Sequence, residues 1–93
     1  MYKSVEKVIS EYVFAVGNFQ FRIKGRITEK LGGGLNTQQP FTWSVSHYYK
    51  LNKDAPGPTF PAKTECATKD EAERLLYTYM RGFTDIAEPN NFY

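Results

Sequence analysis

Apolar and polar residues alternate along two stretches of the chain, and a third stretch repeats them at helical spacing. The first alternating stretch is folded on itself. Gly17-Asn18 separates two runs, and both residue types tolerate the positive φ angles that two-residue hairpin turns demand. Pairing outward from this turn sets Val16 opposite Phe19, Phe14 opposite Phe21, Tyr12 opposite Ile23 and Val8 opposite Ile27, all on one face. The other face then pairs Ala15 with Gln20, Val13 with Arg22 and Glu11 with Lys24. A slip of one residue would turn every apolar group to the wrong side, so the pattern checks its own register. Val5, Val8, Ile9, Tyr12 and Val13 also fit helical spacing, which leaves the first ten residues ambiguous; the hairpin favours strand from about Lys7.

The second alternating stretch is Phe41 to Leu51. Phe41, Trp43, Val45, His47, Tyr49 and Leu51 share one face, while Thr42, Ser44, Ser46, Tyr48 and Lys50 share the other. Turn formers fill Asn52 to Pro61, and Ala62 to Ala67 is a candidate for a short edge strand beside the third. Next, Thr68-Lys69-Asp70-Glu71 forms a capping box, in which a Thr hydroxyl accepts from the Glu amide and the Glu carboxylate reaches back. Ala72, Leu75, Leu76, Tyr79, Met80 and Phe83 follow as one stripe, and Gly82 is placed to end the helix in the left-handed conformation.

These elements predict an α+β fold: a three- or four-stranded antiparallel sheet with one C-terminal helix packed on one face. Residues 1–83 form a single domain, and 84–93 a flexible C-terminal tail, where Phe92 and Tyr93 are the residues able to dock. The connection from Lys30 to Pro40, containing Gly32-Gly33-Gly34, is long enough to touch a ligand.

Composition sharpens this picture. With 93 residues there is material for one core, and 41% hydrophobic and 16% aromatic residues supply it. Twelve Lys and Arg against 10 Asp and Glu give a net charge of +2, too slight to announce a polyanion partner, so electrostatics must act through local placement. Cys66 is the only cysteine, which excludes an internal disulfide and suits a cytoplasmic location. The longest apolar run, Tyr12 to Val16, is far short of a membrane span, so no membrane partner is expected.

Chemistry finds little to work with. One histidine and one cysteine cannot supply a converging nucleophile, base and orienting group, nor four zinc ligands, so no enzyme, metal or cofactor is expected. Ser46 and His47 adjoin in sequence, but successive strand residues point to opposite faces, which should keep their side chains apart. His47 and Cys66 read as packed structural groups. The glycines after Leu31 lack the lysine and hydroxyl of a phosphate loop.

What remains is surface. Opposite the helix, Arg22, Lys24 and Arg26 recur at every second position of the second strand, about 7 Å apart, an interval close to that between phosphates. Ser44, Ser46, Tyr48 and Lys50 on the third strand add hydrogen bonds and a stacking ring. The basic strip is equally the solvated side expected of a half-buried hairpin. The apolar face carries more ring area than one short helix covers, which favours a protein interface.

Three antiparallel strands followed by a helix, with Thr68-Lys69-Asp70-Glu71-Ala72-Glu73 at the junction, resemble the arm-binding domains of tyrosine integrases and the plant AP2-type domain. That resemblance implies DNA contacts through the strand face turned from the helix. In size, plan and lack of catalytic groups the chain also resembles small phage proteins that block host machinery, anti-CRISPR proteins among them. This second likeness implies docking on a large protein or protein–nucleic-acid complex, with direct DNA or RNA binding as the alternative.

Overall fold

The computed structural model describes residues 3–32 and 38–93. Gly33 and Gly34, within the glycine-rich connection, lie outside the described residues. Strand β1 (Val5–Phe14) pairs antiparallel with β2 (Ile23–Gly32), which pairs with β3 (Phe41–Val45); β4 (His47–Tyr49) follows. Next come β5 (Glu65–Cys66), helix α1 (Lys69–Arg81) and β6 (Ala87–Pro89). One sheet has the order β1-β2-β3-β5, and a second joins β4 to β6. The fold is therefore α+β, with the expected fourth strand reduced to two residues paired against Phe41 and Thr42. The ambiguous N-terminal segment is strand from Val5 onward. No helix among the described residues is long and apolar enough to cross a membrane.

The core lies between the main sheet and α1. Ile23 and Ile27 from β2, Trp43 and Val45 from β3, and Cys66 from β5 meet Ala72, Leu76 and Met80 of the helix. Alternation places the strand residues inward, and the i, i+4, i+8 series of the helix answers them. The Thr68 hydroxyl accepts from the Glu71 amide at 3.1 Å, closing the first half of the capping box. The second half goes elsewhere, because the Glu71 carboxylate turns to Lys63 at 3.3 Å. That cation holds its pKa below the ordinary carboxylate value.

Three expectations need correction. Gly82 ends the helix at φ −87°, not in the left-handed region; its amide bonds back to Tyr79 O at 3.1 Å in a tightened last turn. A Cβ there would stand 3.2 Å from the Tyr49 hydroxyl, a tight contact that the end of that side chain would have to yield to by a few tenths of an ångström.

The hairpin register differs by two residues from the one read off the turn. Gly17 does take a positive φ, 50°, and Phe19 N donates to Val16 O at 3.2 Å. The ladder nevertheless begins at Phe14 opposite Ile23, with Tyr12 opposite Gly25, Val13 opposite Lys24 and Glu11 opposite Arg26. Phe19 and Phe21 leave the strand because they have better partners: they stack on each other, Phe19 meets Phe83 edge-on, and Phe21 lies on His47 at 4.8 Å. A shift of two preserves the faces, so Tyr12, Phe14, Ile23 and Ile27 still turn inward, while Phe21, off the strand, is 44% exposed. An irregularity at Ile9 does not preserve them; Val8 falls opposite Thr28 and turns outward, 44% exposed.

The third run breaks at Ser46. Its amide donates to Lys24 O, while its hydroxyl, not its carbonyl, accepts from Lys24 N, both at 2.8 Å. The freed Ser46 carbonyl instead accepts from Asn90 N at 2.8 Å. One side chain thus ends pairing with β2 and begins pairing with the C-terminal segment. Leu51, expected inward, lies beyond both strands and is 68% exposed.

Candidate functional site

The break at Ser46 also brings together two side chains that strict alternation would separate. Ser46 Oγ lies 2.9 Å from His47 Nδ1. The hydroxyl accepts from Lys24 N through one lone pair and keeps a second lone pair and its proton, so it pairs with Nδ1 of either ring tautomer. Burial beneath Phe21 holds the His47 pKa below its ordinary value. The contact is a bracket at a strand junction, tying the Ser hydroxyl to the β2 amide and to the ring, and among the described residues no carboxylate is hydrogen-bonded to the imidazole. Among the described residues, no group of three or more His, Cys, Asp and Glu side chains could hold a metal ion. The Cys66 thiol is fully buried and its pKa is raised by that burial.

The basic strip is taken apart by the fold. Arg22 precedes β2 and is exposed. Lys24 stands exposed on the outer face, opposite Val13. Arg26, two residues on, is half-buried because the C-terminal segment folds over it. Its Nη2 donates to the main-chain oxygen of Tyr93 at 2.7 Å, and the Tyr93 ring lies 4.1 Å from its guanidinium carbon. Lys50 pairs with Glu88 at 3.9 Å, on the β4–β6 side of the molecule. Ser46 is spent at the junction. Of the seven residues singled out, Ser44 and Tyr48 line a common groove, Arg26 faces Ser44 in register, and Lys24 is its neighbour on the face.

That groove is the more informative feature. It encloses about 330 Å³ against the outer side of β3, between Ser44, Tyr48, Phe60, Asn90 and Phe92. A second groove of about 330 Å³ adjoins it, sharing Tyr48, Phe60, Asn90 and Phe92 and bounded also by Pro58 and Glu88. Tyr48 and Phe60 meet edge to face with centroids 5.0 Å apart. Phe60 is 64% exposed and Phe92 96% exposed, so two rings stand in water where the grooves adjoin.

Residues 84–93, expected as a flexible tail, carry the elements that place these rings. Ala87–Pro89 pairs with β4, the Thr84 hydroxyl donates to Lys50 O, and Asn90 Nδ2 donates to Val45 O at 2.8 Å. Phe60 and Asn90 are site residues that sequence reasoning misses, and Phe92 and Tyr93 are foreseen only as residues able to dock. Phe60 sits among prolines that read as turn, and the tail has no periodicity to announce a strand. The adjacent Phe92 and Tyr93 are the signal available. Comparison with protein-family models, with curated proteins and with solved structures found no match for this chain.

Proposed function

We propose that this chain is a non-catalytic docking module, one that seats on a larger protein or protein–nucleic-acid complex in the manner of a small phage inhibitor. The observation that carries the proposal is the pair of exposed rings, Phe60 and Phe92, which two adjoining grooves share with half-buried Tyr48. A phenylalanine left in water forgoes roughly 1.5–3 kcal/mol that burial would return, and rings flanked by channels are the usual anchors of protein interfaces. Ser44, Asn90 and Glu88 along the two grooves supply the polar rim. A cytoplasmic setting is consistent with the free Cys66 thiol.

The test is capture of an assembly from host lysate by the wild-type chain and by a Phe60→Ser/Phe92→Ser variant. Loss of the retained assembly in the variant, with an unchanged melting temperature, is the expected result; equal retention by both would refute the reading. Direct nucleic-acid binding is the weaker proposal, because Arg26 is engaged by Tyr93 and Lys50 by Glu88. It requires that Arg22→Gln/Lys24→Gln/Arg26→Gln flatten the salt dependence of oligonucleotide binding by about three units of slope at most.

A further inference from the structure

Strand β1 is an edge. Among the described residues its one neighbour in the sheet is β2, so one side of a ten-residue strand has no ladder. Hydrogen-bonding direction alternates along β2, and the bonds on the β3 side fix its phase: Ser46 N donates to Lys24 O, and Lys30 N donates to Pro40 O. The even-numbered residues of β2 therefore serve β3, and Ile23, Gly25, Ile27 and Glu29 serve β1. Their partners Phe14, Tyr12, Ser10 and Lys7 turn their main-chain groups to β2. That leaves the amides and carbonyls of Glu6, Val8, Glu11 and Val13 directed out of the open edge. All four residues are exposed. The strand carries no proline, but its middle is irregular: Ile9 has no partner on β2, and a cleft of about 300 Å³ opens along Val8 to Glu11.

We propose that two copies of this chain join through β1, antiparallel about a two-fold axis at Ile9 and Ser10, to make one sheet of eight strands, four from each copy. The irregularity selects the partner. Between the outward groups of Val8 and Glu11 lie two residues, Ile9 and Ser10, where a regular strand has one, so a regular strand falls out of step on crossing this point. A second β1 has the same break and stays in step: Glu11 faces the partner's Val8, Val13 faces the partner's Glu6, and symmetry repeats both pairs. Sliding the copies by one pair either way sets Glu11 against the partner's Glu11 or the partner's Glu6, like charges directly opposed. The other charges are complementary. On the helix side of the sheet Lys7 faces the partner's Tyr12, and within each chain the Tyr12 hydroxyl donates to Glu73 at 2.6 Å. Lys7 and Glu73 form no ion pair among the described residues, so each can meet its opposite across the axis. Val8 and Val13, 44% and 66% exposed, gain cover from the facing side chains.

The isolated chain suffices for the test, so the result is independent of whether any assembly is captured. Sedimentation equilibrium of wild type from micromolar to millimolar concentration should show a monomer–dimer equilibrium. A mixture of chains carrying different isotope labels should give intermolecular nuclear Overhauser contacts from Glu11 to Val8 and from Tyr12 to Lys7. Val8→Pro removes an outward amide that β2 does not use; because the donor is lost in both copies, the dimer should weaken about tenfold or more. Lys7→Glu, at an exposed position, should weaken it by bringing like charges together, and it is the variant to read where the proline impairs folding. A wild-type chain that stays monomeric throughout the range overturns the proposal. So does a dimer that folded Val8→Pro leaves as tight or, where that variant does not fold, one that Lys7→Glu leaves as tight. Intermolecular contacts that fall on another surface, such as Phe60 and Phe92, overturn it as well.

Discussion

Gly25 measures how closely β2 and the helix approach. A Cβ built there would stand 3.0 and 3.2 Å from the two terminal carbons of Leu76 and 3.3 Å from the Phe14 ring. Leu76 is fully buried and has nowhere to retreat. Gly25→Ala should therefore destabilise by about 1–3 kcal/mol through overpacking, read as a lower denaturation midpoint at unchanged m-value. Gly57→Ala, with nothing within 4 Å of the added carbon, should move the midpoint hardly at all. His47 gives a second prediction. Its pKa is depressed in the fold by burial, so the unfolded chain binds more protons below its ordinary value of 6.5. The neutral imidazole's contribution is complete above that pH and is lost as pH falls through the depressed folded value. Wild type should melt lower at pH 5 than at pH 7.5, and His47→Gln should narrow that gap; an unchanged gap would place the titration elsewhere. At this scale Ile23, Ile27, Val45 and Leu76 were legible, because period holds where the ladder is unbroken, whereas Val8 and Leu51 lie past an irregularity or beyond the strand end and are exposed. The Ser46–His47 contact was not, since it depends on a hydroxyl replacing a carbonyl in the ladder.

Elements were legible where local chemistry and period agree. The helix is the clearest case: an N-cap, acids in the first turn, a continuous apolar stripe and Arg81 in the last turn all point the same way. Thr68→Ala should cost about 1 kcal/mol by leaving the Glu71 amide without its acceptor, and Thr68→Ser should recover most of it; both are measurable in urea. The strands were legible in their faces but not in their partners. A two-residue shift leaves Tyr12, Phe14, Ile23 and Ile27 inward, so hydrophobic pattern cannot separate Phe14–Ile23 pairing from Phe14–Phe21 pairing. What decides is tertiary: Phe19 and Phe21 find Phe83 and His47, residues distant in sequence. The same limit applies to β4, whose alternation continues that of β3 without a gap in pattern although it belongs to the other sheet. Tyr12 shows the gain from correct faces. Its hydroxyl donates to Glu73 at 2.6 Å, tying the edge strand to the helix, and burial together with that carboxylate pushes its pKa up to about 12.

At the scale of the whole molecule, the C-terminal segment decides which surface is left for a partner. It was the least legible part, because its order comes from contacts with residues forty or more positions earlier: Asn90 with Val45 and Ser46, and Tyr93 with Arg26. These contacts convert a basic strip into a covered arginine and an exposed pair of rings, so the proposed surface exists only while the segment is docked. Asn90 is the fastening. Its side chain donates to Val45 O and accepts from Phe92 N at 3.0 Å, and its amide donates to Ser46 O. Asn90→Ala removes the two side-chain bonds and leaves a carbonyl of the buried Val45 without that donor, a loss of about 1–3 kcal/mol. If β4 and β6 form a unit that opens without the main sheet, the loss should appear locally. The amides of Lys50 and Asn90, which bond Ile86 O and Ser46 O, should then exchange roughly tenfold faster or more, since 1.4 kcal/mol is a factor of ten. The Trp43 amide, bonded to Thr64 O inside the main sheet, should keep its rate. Equal acceleration at all three would mean that the segment and the sheet unfold together.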